Sequence, residues 1–187
     1  MKSINATHFD LIPAYPSRRD RKEHVVHAIV ETPKGSPFKF ALEPDLGIIA
    51  YSEMMPQGYV WPFDYGFIPQ TVGGDGDPLD VVVLFERPTF SGCLVKARVL
   101  GAIRLTKNGE ENDRVVAAPQ RAPGVTMWTD GFDTLADVPS EARADLERFL
   151  LGYSATQGNV VEITAAVEAD EAMKLINRAH KAFGKGR

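Results

Sequence analysis

Short segments in which apolar and polar residues alternate dominate the first two thirds of the chain. This period of two is typical of β-strands, and Pro, Gly and Asp residues separate the segments at short intervals. Many short strands joined by tight turns favour a closed barrel or a sandwich over alternating strands and helices. The predicted strands are 25–32, 38–42, 48–51, 81–84, 94–103, 115–118 and, later in the chain, 160–164.

Helical patterns appear only in the last third of the chain. One helix is predicted at 141–151, where Gly152 is expected to end it. A second is expected to be capped by Asp170 and to end at Gly184. The apolar positions of the two helices are Leu146, Phe149 and Leu150, and Met173, Ile176, Ala179 and Phe183. The predicted fold class is therefore mainly β (α+β), with a β-barrel-like core and two packing helices.

Composition places this chain among soluble globular proteins. It has 187 residues, of which 44% are hydrophobic and 25% charged, as expected for one domain with a core. A net charge of −4 argues against a nucleic-acid partner. No apolar run is long enough to cross a membrane, and the first ten residues lack an apolar signal segment, so we expect a cytoplasmic protein. The polar, mostly basic residues 13–24 are interpreted as a solvated lead-in.

Three aspartates crowd the stretch GGDGDPLDVVVL at residues 73–84. Asp75, Asp77 and Asp80 repel one another unless a cation, a proton or solvent separates their charges. One interpretation is a surface turn, because Asp-Gly and Asp-Pro form turns readily. The other is a site for a hard cation such as Mg²⁺, Mn²⁺ or Ca²⁺, which converging carboxylates bind.

Aromatic and cationic residues near this cluster favour a phosphate ligand. The segment 61–67 supplies Trp, Tyr and Phe, while Lys39 and Arg114 lie on predicted strands. Lys, Arg and Tyr side chains can neutralise or hydrogen-bond the phosphoryl oxygens that a carboxylate-bound metal does not reach.

At these residues the sequence resembles the soluble family I inorganic pyrophosphatases. The family signature Asp-x-Asp-Pro-x-Asp, followed by an aliphatic strand, is complete at 75–81. Four further segments follow the family's order and approximate spacing: 30–33, 37–40, 62–69 and 115–119. The resemblance covers about residues 25–183, which we interpret as a single pyrophosphatase-like domain between an N-terminal extension at 1–24 and a tail at 184–187.

The resemblance implies both a fold and an activity. The implied fold is a five-stranded, OB-like closed barrel with two packing helices, which agrees with the patterns above. The implied reaction is Mg²⁺-dependent hydrolysis of inorganic pyrophosphate to two phosphates by a metal-activated water, with Mn²⁺ as the alternative cofactor. A small phosphate-containing substrate is the implied partner. Bacterial members of the family are typically hexamers, so the resemblance also implies a homo-oligomer.

Site residues are implied position by position. Asp77 stands where the family has the general base that accepts the proton of the attacking water. The implied metal ligands are Asp75, Asp80 and Glu31. The implied phosphate contacts are Lys39, Tyr65, Tyr153 and Arg114, the last standing where the family has a lysine.

The loop at 107–114 departs from the family motif Asp-x-Gly-Glu-x-Asp-x-Lys. Lys107 and Asn112 replace its two aspartates, which makes the site less negative by about three formal charges. Asn112 can still offer a neutral oxygen to a metal, and Lys107 can act as a fixed positive charge near the phosphate. Asp113 and Glu111 are expected to point away from the side that Asn112 uses. Ala41, Glu53, Trp61 and Ser154 stand at or near positions where the family usually has Glu, Arg, Tyr and Lys.

These departures leave two alternatives to pyrophosphate hydrolysis. One is a hydrolase of another phosphoanhydride or phosphoester, such as a nucleotide or an organic diphosphate. Fewer cationic contacts and the aromatic face of Trp61 would suit a larger, less charged ligand that can stack. The other is a catalytically impaired homologue that only binds phosphate compounds.

Overall fold

The computed structural model describes residues 9–121 and 123–185. The strands of this part are β1 (Val25–Thr32), β2 (Phe38–Glu43), β3 (Ile48–Met54), β4 (Asp64–Phe67), β5 (Asp80–Val83), β6 (Leu94–Lys107), β7 (Glu110–Glu111), β8 (Arg114–Pro119) and β9 (Val161–Glu168). Its α-helices are α1 (Arg18–Lys22), α2 (Ser140–Thr156) and α3 (Ala169–Lys185). Within these residues, no helix has the length and apolar character needed to span a membrane. Residues 1–8 of the predicted extension and 186–187 of the tail lie outside the described residues.

Five strands close into a ring in the order β1, β4, β5, β8, β6 and back to β1. Every neighbouring pair is antiparallel except β5 and β8, which run parallel. The hairpin of β2 and β3 forms a separate two-stranded sheet, while β7 and β9 extend the ring from β6. The five-stranded closed arrangement that the resemblance implied is confirmed.

Both faces of the ring strands are buried. Val81 and Val83 of β5 belong to a core cluster that α3 covers, whereas Val82 belongs to a second cluster that α2 covers. Successive side chains on a strand point to opposite faces, so burial on both faces requires the continuous apolar run that follows Asp80. This packing places Asp80 at the start of a rigid, buried strand.

One strand of the ring, β4, was missed because its sequence does not alternate. Asp64 is fully buried, and its carboxylate accepts hydrogen bonds from the backbone of Lys34 at 2.8 Å and the hydroxyl of Thr89 at 2.5 Å. Gly66 lies so close to β1 that an added Cβ would fall 1.8 Å from the Ile29 carbonyl oxygen. The strand therefore needs a glycine and tolerates an aspartate, and both residues are usually turn signals.

The helices and several strands run longer than the sequence indicated. Gly152 does not end α2 but lies inside it. The position takes a glycine because a Cβ there would lie 2.6 Å from the Tyr59 hydroxyl. Asp170 lies in the first turn of α3 instead of capping it, and the helix continues through Gly184. Strand β6 continues to Lys107 because Thr106 and Lys107 pair with both β7 and β9.

The lead-in at 13–24 is not simply solvated, which corrects that expectation. Ala14 is fully buried in the cluster that α3 covers, and Tyr15 packs against it. The Tyr15 hydroxyl donates to the Asn177 side chain of α3 at 3.0 Å. The domain boundary at residue 25 stays a prediction.

Candidate active site

Every side chain that the sequence analysis assigned to the site lines one cleft of about 230 Å³. The cleft lies between the ends of the ring strands, the β2–β3 hairpin and α2. These side chains are Glu31, Lys39, Tyr65, Asp75, Asp77, Asp80, Lys107, Asn112, Arg114 and Tyr153. Residues far apart in the sequence are therefore brought together as predicted, whereas their individual roles stay predictions.

The aspartate loop is both a tight turn and one wall of the cleft. The Gly73 amide donates to the Asp77 carbonyl at 2.6 Å, and the Asp77 amide donates to the Asp75 carboxylate at 3.1 Å. Gly76 has a φ of +90°, a conformation that favours glycine. The turn reverses the chain before β5, so the three aspartates reach the same cleft although an extended segment would separate them.

A chain of polar contacts joins Asp80 to Asp75 across the cleft wall. Asp80 and Arg114 are direct neighbours in the parallel pairing of β5 and β8, and Arg114 Nη1 lies 2.6 Å from Asp80 Oδ2. Arg114 Nη2 donates to the Asn112 side-chain oxygen, and Asn112 Nδ2 donates to Asp75 Oδ2. The Asn112 amide therefore uses its oxygen for Arg114 and its nitrogen for Asp75.

Burial shifts the pKa values of Asp80 and Tyr65, which lie at the base of these polar contacts. Burial raises the pKa of Asp80, although the Arg114 guanidinium and a hydrogen bond with Tyr65 lower it in part. Burial also raises the pKa of Tyr65 well above its ordinary value, so its hydroxyl remains a hydrogen-bond donor. The Arg114 guanidinium lies 5.7 Å from the centre of the Tyr65 ring, in range of a cation–π contact.

Glu31 joins the ring to the β2–β3 hairpin. Its carboxylate accepts a hydrogen bond from the Leu42 amide at 2.7 Å. Burial, with a smaller contribution from Asp80, raises the pKa of Glu31 to about 8. Thr32 makes a second link to the hairpin, because its hydroxyl bonds both the amide and the carbonyl of Phe40 at 2.9 Å. These links hold Lys39 at the edge of the cleft.

Glu53 dominates the Lys39 end of the cleft, although the sequence analysis assigned it no site role. Its carboxylate accepts hydrogen bonds from the Tyr153 hydroxyl at 2.6 Å and from Gln157 Nε2 at 2.8 and 2.9 Å. Lys39 Nζ lies 3.7 Å away. The only sequence signal for Glu53 was that it stands near a position where the family usually has an arginine. That signal did not reveal its hydrogen-bond partners, Tyr153 and Gln157.

The three aspartates of the cleft suit a hard divalent cation in kind, because carboxylate oxygens are its preferred ligands. Arg114 already pairs with Asp80 at 2.6 Å and would share that carboxylate with the cation. Within residues 9–121 and 123–185, however, no group of three or more His, Cys, Asp or Glu side chains is arranged to hold a metal ion. Mg²⁺ usually binds through one or two carboxylates and completes its shell with water and substrate phosphate. The donor set therefore fits a cation of this kind that is shared with a phosphate ligand.

Comparison with known proteins identifies the family. The family model of inorganic pyrophosphatase matches residues 28–184. The chain belongs to the inorganic pyrophosphatase family. It is 33% identical over 153 residues to the inorganic pyrophosphatase of Halalkalibacterium halodurans, covering 82% of this chain and 91% of that protein. It is 29% identical over 160 residues to the soluble inorganic pyrophosphatase of Oryza sativa subsp. japonica, covering 86% of this chain and 73% of that protein.

Solved structures of inorganic pyrophosphatases share the fold. The enzyme from Thermus thermophilus superposes with a TM-score of 0.83 at 27% identity, covering 96% of this chain and 99% of that one. The enzyme from Neisseria gonorrhoeae gives 0.84 at 26% identity, covering 94% and 99%. The similarity therefore extends over nearly the whole chain, including the segments that build the cleft.

Two carboxylates next to the altered loop do not replace the aspartates that the pyrophosphatase motif would carry there. Asp113 is buried and lies 3.4 Å from Arg104 Nε. Glu111 lies 3.3 Å from both Arg104 and Arg178. Both residues line a second cavity of about 190 Å³ beside α3 and not the cleft. They point away from the cleft, as the alternation of the segment predicted.

Trp61 is buried, which removes one argument for a stacking ligand. Only 4% of the residue is exposed, and its ring packs 4.6 Å from Tyr65 and 4.9 Å from Phe149, measured between ring centres. Its ring packs in the core under α2 and reaches only the floor of the cleft, which leaves little surface on which a nucleotide base could stack.

Proposed function

We propose that this protein hydrolyses inorganic pyrophosphate to two phosphates with the help of Mg²⁺. The observation that carries the proposal is the convergence of Asp75, Asp77 and Asp80 with Lys39, Tyr65 and Arg114 on one cleft. Membership of the pyrophosphatase family supports the same activity. Mn²⁺ offers similar oxygen coordination and is the alternative cofactor.

Asp77 is the residue we assign as general base. Among the described residues, its exposed carboxylate makes no hydrogen bond or ion pair, so it is available to accept a proton. In the proposed reaction a water oxygen bonds to one phosphorus while the bridging P–O bond breaks and the second phosphate leaves. A bound Mg²⁺ would lower the pKa of a coordinated water and neutralise phosphoryl charge. Asp75, Asp80 and Glu31 are the proposed ligands; Asn112 would add a neutral oxygen only by giving up its contact with Arg114.

Five further side chains are proposed to hold the phosphates. Arg114 supplies a permanent positive charge, and Tyr65 a hydroxyl that stays protonated. Lys39 and Tyr153, which lie beside Glu53, supply further donors to the cleft. Lys107, at the end of β6, adds a positive charge where the family has a carboxylate.

A phosphate-release assay tests this function. Pyrophosphate and a panel of nucleotides and organic phosphates would be compared with Mg²⁺ or Mn²⁺ at neutral and mildly alkaline pH. We expect pyrophosphate to be the preferred substrate, with no turnover once a chelator is added. Preferential turnover of an organic phosphate would establish the alternative hydrolase, which the engagement of Lys39 and Tyr153 by Glu53 favours. Binding of phosphate compounds without turnover of any would identify an impaired homologue.

We also propose that the protein is a cytoplasmic homo-oligomer, with a hexamer as the expected form. The exposed apolar residues Phe38, Tyr51 and Met54 on the β2–β3 hairpin support a contact between copies, because large apolar side chains favour interfaces. Light scattering after size-exclusion chromatography would measure the mass of the particle, and a monomer at micromolar concentration would contradict this assembly.

A further inference from the structure

Glu53 collects the hydrogen-bond donors at one end of the cleft. It lies directly opposite Lys39 in the pairing of β2 and β3. Tyr153 lies in the last turn of α2 and Gln157 is the residue that directly follows the helix, and both donate to the same carboxylate. The Lys39, Tyr153 and Gln157 side chains line the cleft, whereas Glu53 stands behind them.

The contacts leave little positive charge at this end of the cleft. The Tyr153 hydroxyl, and to a smaller extent Gln157 and Lys39, hold the pKa of Glu53 below its ordinary value, so the carboxylate is ionised at neutral pH. Its charge offsets that of Lys39 at 3.7 Å. A phosphoryl group entering here must compete with a resident carboxylate for the same donors.

We propose that Glu53 is a positioning residue that sets ligand preference, by lowering the affinity of the Lys39 end for a fully charged phosphoryl group. The cleft then favours ligands that carry one strongly charged phosphate at the aspartate end and less negative charge at the other. The inference rests on the proposed function for the orientation of the substrate in the cleft. What it predicts is a difference in binding affinity, which can be measured without turnover.

The Glu53→Gln substitution separates charge from shape. Glutamine keeps the size and the carbonyl acceptor of the side chain but removes the charge. Calorimetry would measure the dissociation constant of methylenediphosphonate, a diphosphate that cannot be hydrolysed, for the wild type and the variant with Mg²⁺. Glu43→Gln is the matched control, because Glu43 is an exposed residue of the same hairpin that does not line the cleft.

We expect E53Q to bind the diphosphonate about tenfold more tightly at low salt, which corresponds to 1.4 kcal/mol. The gain should shrink at high salt because the Glu53 side chain is partly exposed and its charge is screened, and E43Q should match the wild type. In turnover assays the KM for pyrophosphate should fall while kcat changes little.

Unchanged or weaker binding by E53Q, or a gain that salt does not alter, would overturn the proposal. Absence of pyrophosphate turnover in the wild type would instead refute the proposed function. The calorimetric result does not depend on turnover and would still decide the role of Glu53.

Discussion

The Asn112→Asp substitution tests the chain of polar contacts between Asp75 and Asp80. In the wild type, the Asn112 amide nitrogen donates to Asp75 while its oxygen accepts from Arg114. An aspartate at this position would turn the donor into a carboxylate oxygen facing another carboxylate. Arg114 is already paired with Asp80 at 2.6 Å, so one guanidinium would have to balance three carboxylates.

The size of the effect follows from the contact distance and the exposure of the site. Two unit charges about 4 Å apart near a protein surface repel by about 4 kcal/mol. Because Asp75 is exposed to solvent and Arg114 offsets part of the repulsion, we reduce this to about 1–2 kcal/mol. For a domain of this size, that loss lowers the melting temperature by roughly 2–8 °C.

Thermal unfolding with and without Mg²⁺ provides the assay. In a chelator the variant should melt below the wild type, and Mg²⁺ should raise its melting temperature more than that of the wild type, because the added carboxylate attracts the cation. Asn159→Asp is the control, since Asn159 lies on the surface and its side-chain oxygen would still accept from Asn108. Equal melting of N112D and the wild type in chelator would refute the proposed contacts.

Three further predictions concern the same cleft. Asp77→Asn should lower kcat for pyrophosphate by about 10²–10⁴-fold while leaving stabilisation by Mg²⁺ intact. Asp45→Asn is the control, because Asp45 is an exposed carboxylate outside the cleft. An unchanged rate for the Asp77→Asn variant would show that Asp77 is not the base. Combining Lys107→Asp with Asn112→Asp should tighten Mg²⁺ binding and raise pyrophosphate turnover several-fold, and a gain in neither would contradict our account of the loop. For Glu31, the folded pKa of about 8 exceeds the ordinary 4.5, so its proton is lost first from the unfolded chain and stability falls as pH rises between these values. Glu31→Gln should therefore melt several degrees above the wild type near pH 8 in chelator and close to it near pH 5, and a pH-independent difference would contradict the shifted pKa.

The fold was predictable where burial imposes a regular pattern. Strands such as β1 and β5 bury side chains on both faces, and their apolar runs therefore appear in the sequence. Strand β4 was not predictable, because Asp64 is satisfied by partners that lie 25 and 30 residues away. The expectation that Gly152 ends α2 was wrong for a similar reason. A distant residue, Tyr59, leaves no room for a Cβ at this position, while the helix itself continues.

The site was predictable in its membership but not in its pairings. A motif with fixed spacing places Asp75, Asp77 and Asp80 in one loop, and the resemblance adds the distant members. The contact between Asn112 and Asp75 depends on how the β7–β8 loop meets the aspartate turn, where Gly74 packs against the Glu111 backbone. A local sequence pattern does not predict a contact between two loops. The contact of Glu53 with Tyr153 of α2 was not predictable for the same reason.

Lys107, Asn112 and Glu53 change the two ends of the cleft in opposite electrostatic directions. Lysine and asparagine in place of two aspartates make the aspartate end less negative by about three formal charges, whereas a glutamate near a usual arginine position makes the Lys39 end more negative by about two. The first change weakens attraction for cations while the charge of Lys107 strengthens attraction for phosphate, and the second change weakens attraction for phosphate beside Lys39. The net effect is weaker metal binding and a phosphate hold that shifts from Lys39 toward Lys107. Neither touches Asp77, and the loop that orients it is intact. On the proposed roles, the departures therefore act on the binding of metal and substrate and leave the proton-accepting group in place, which is why we assign them a change in affinity and not a loss of the reaction.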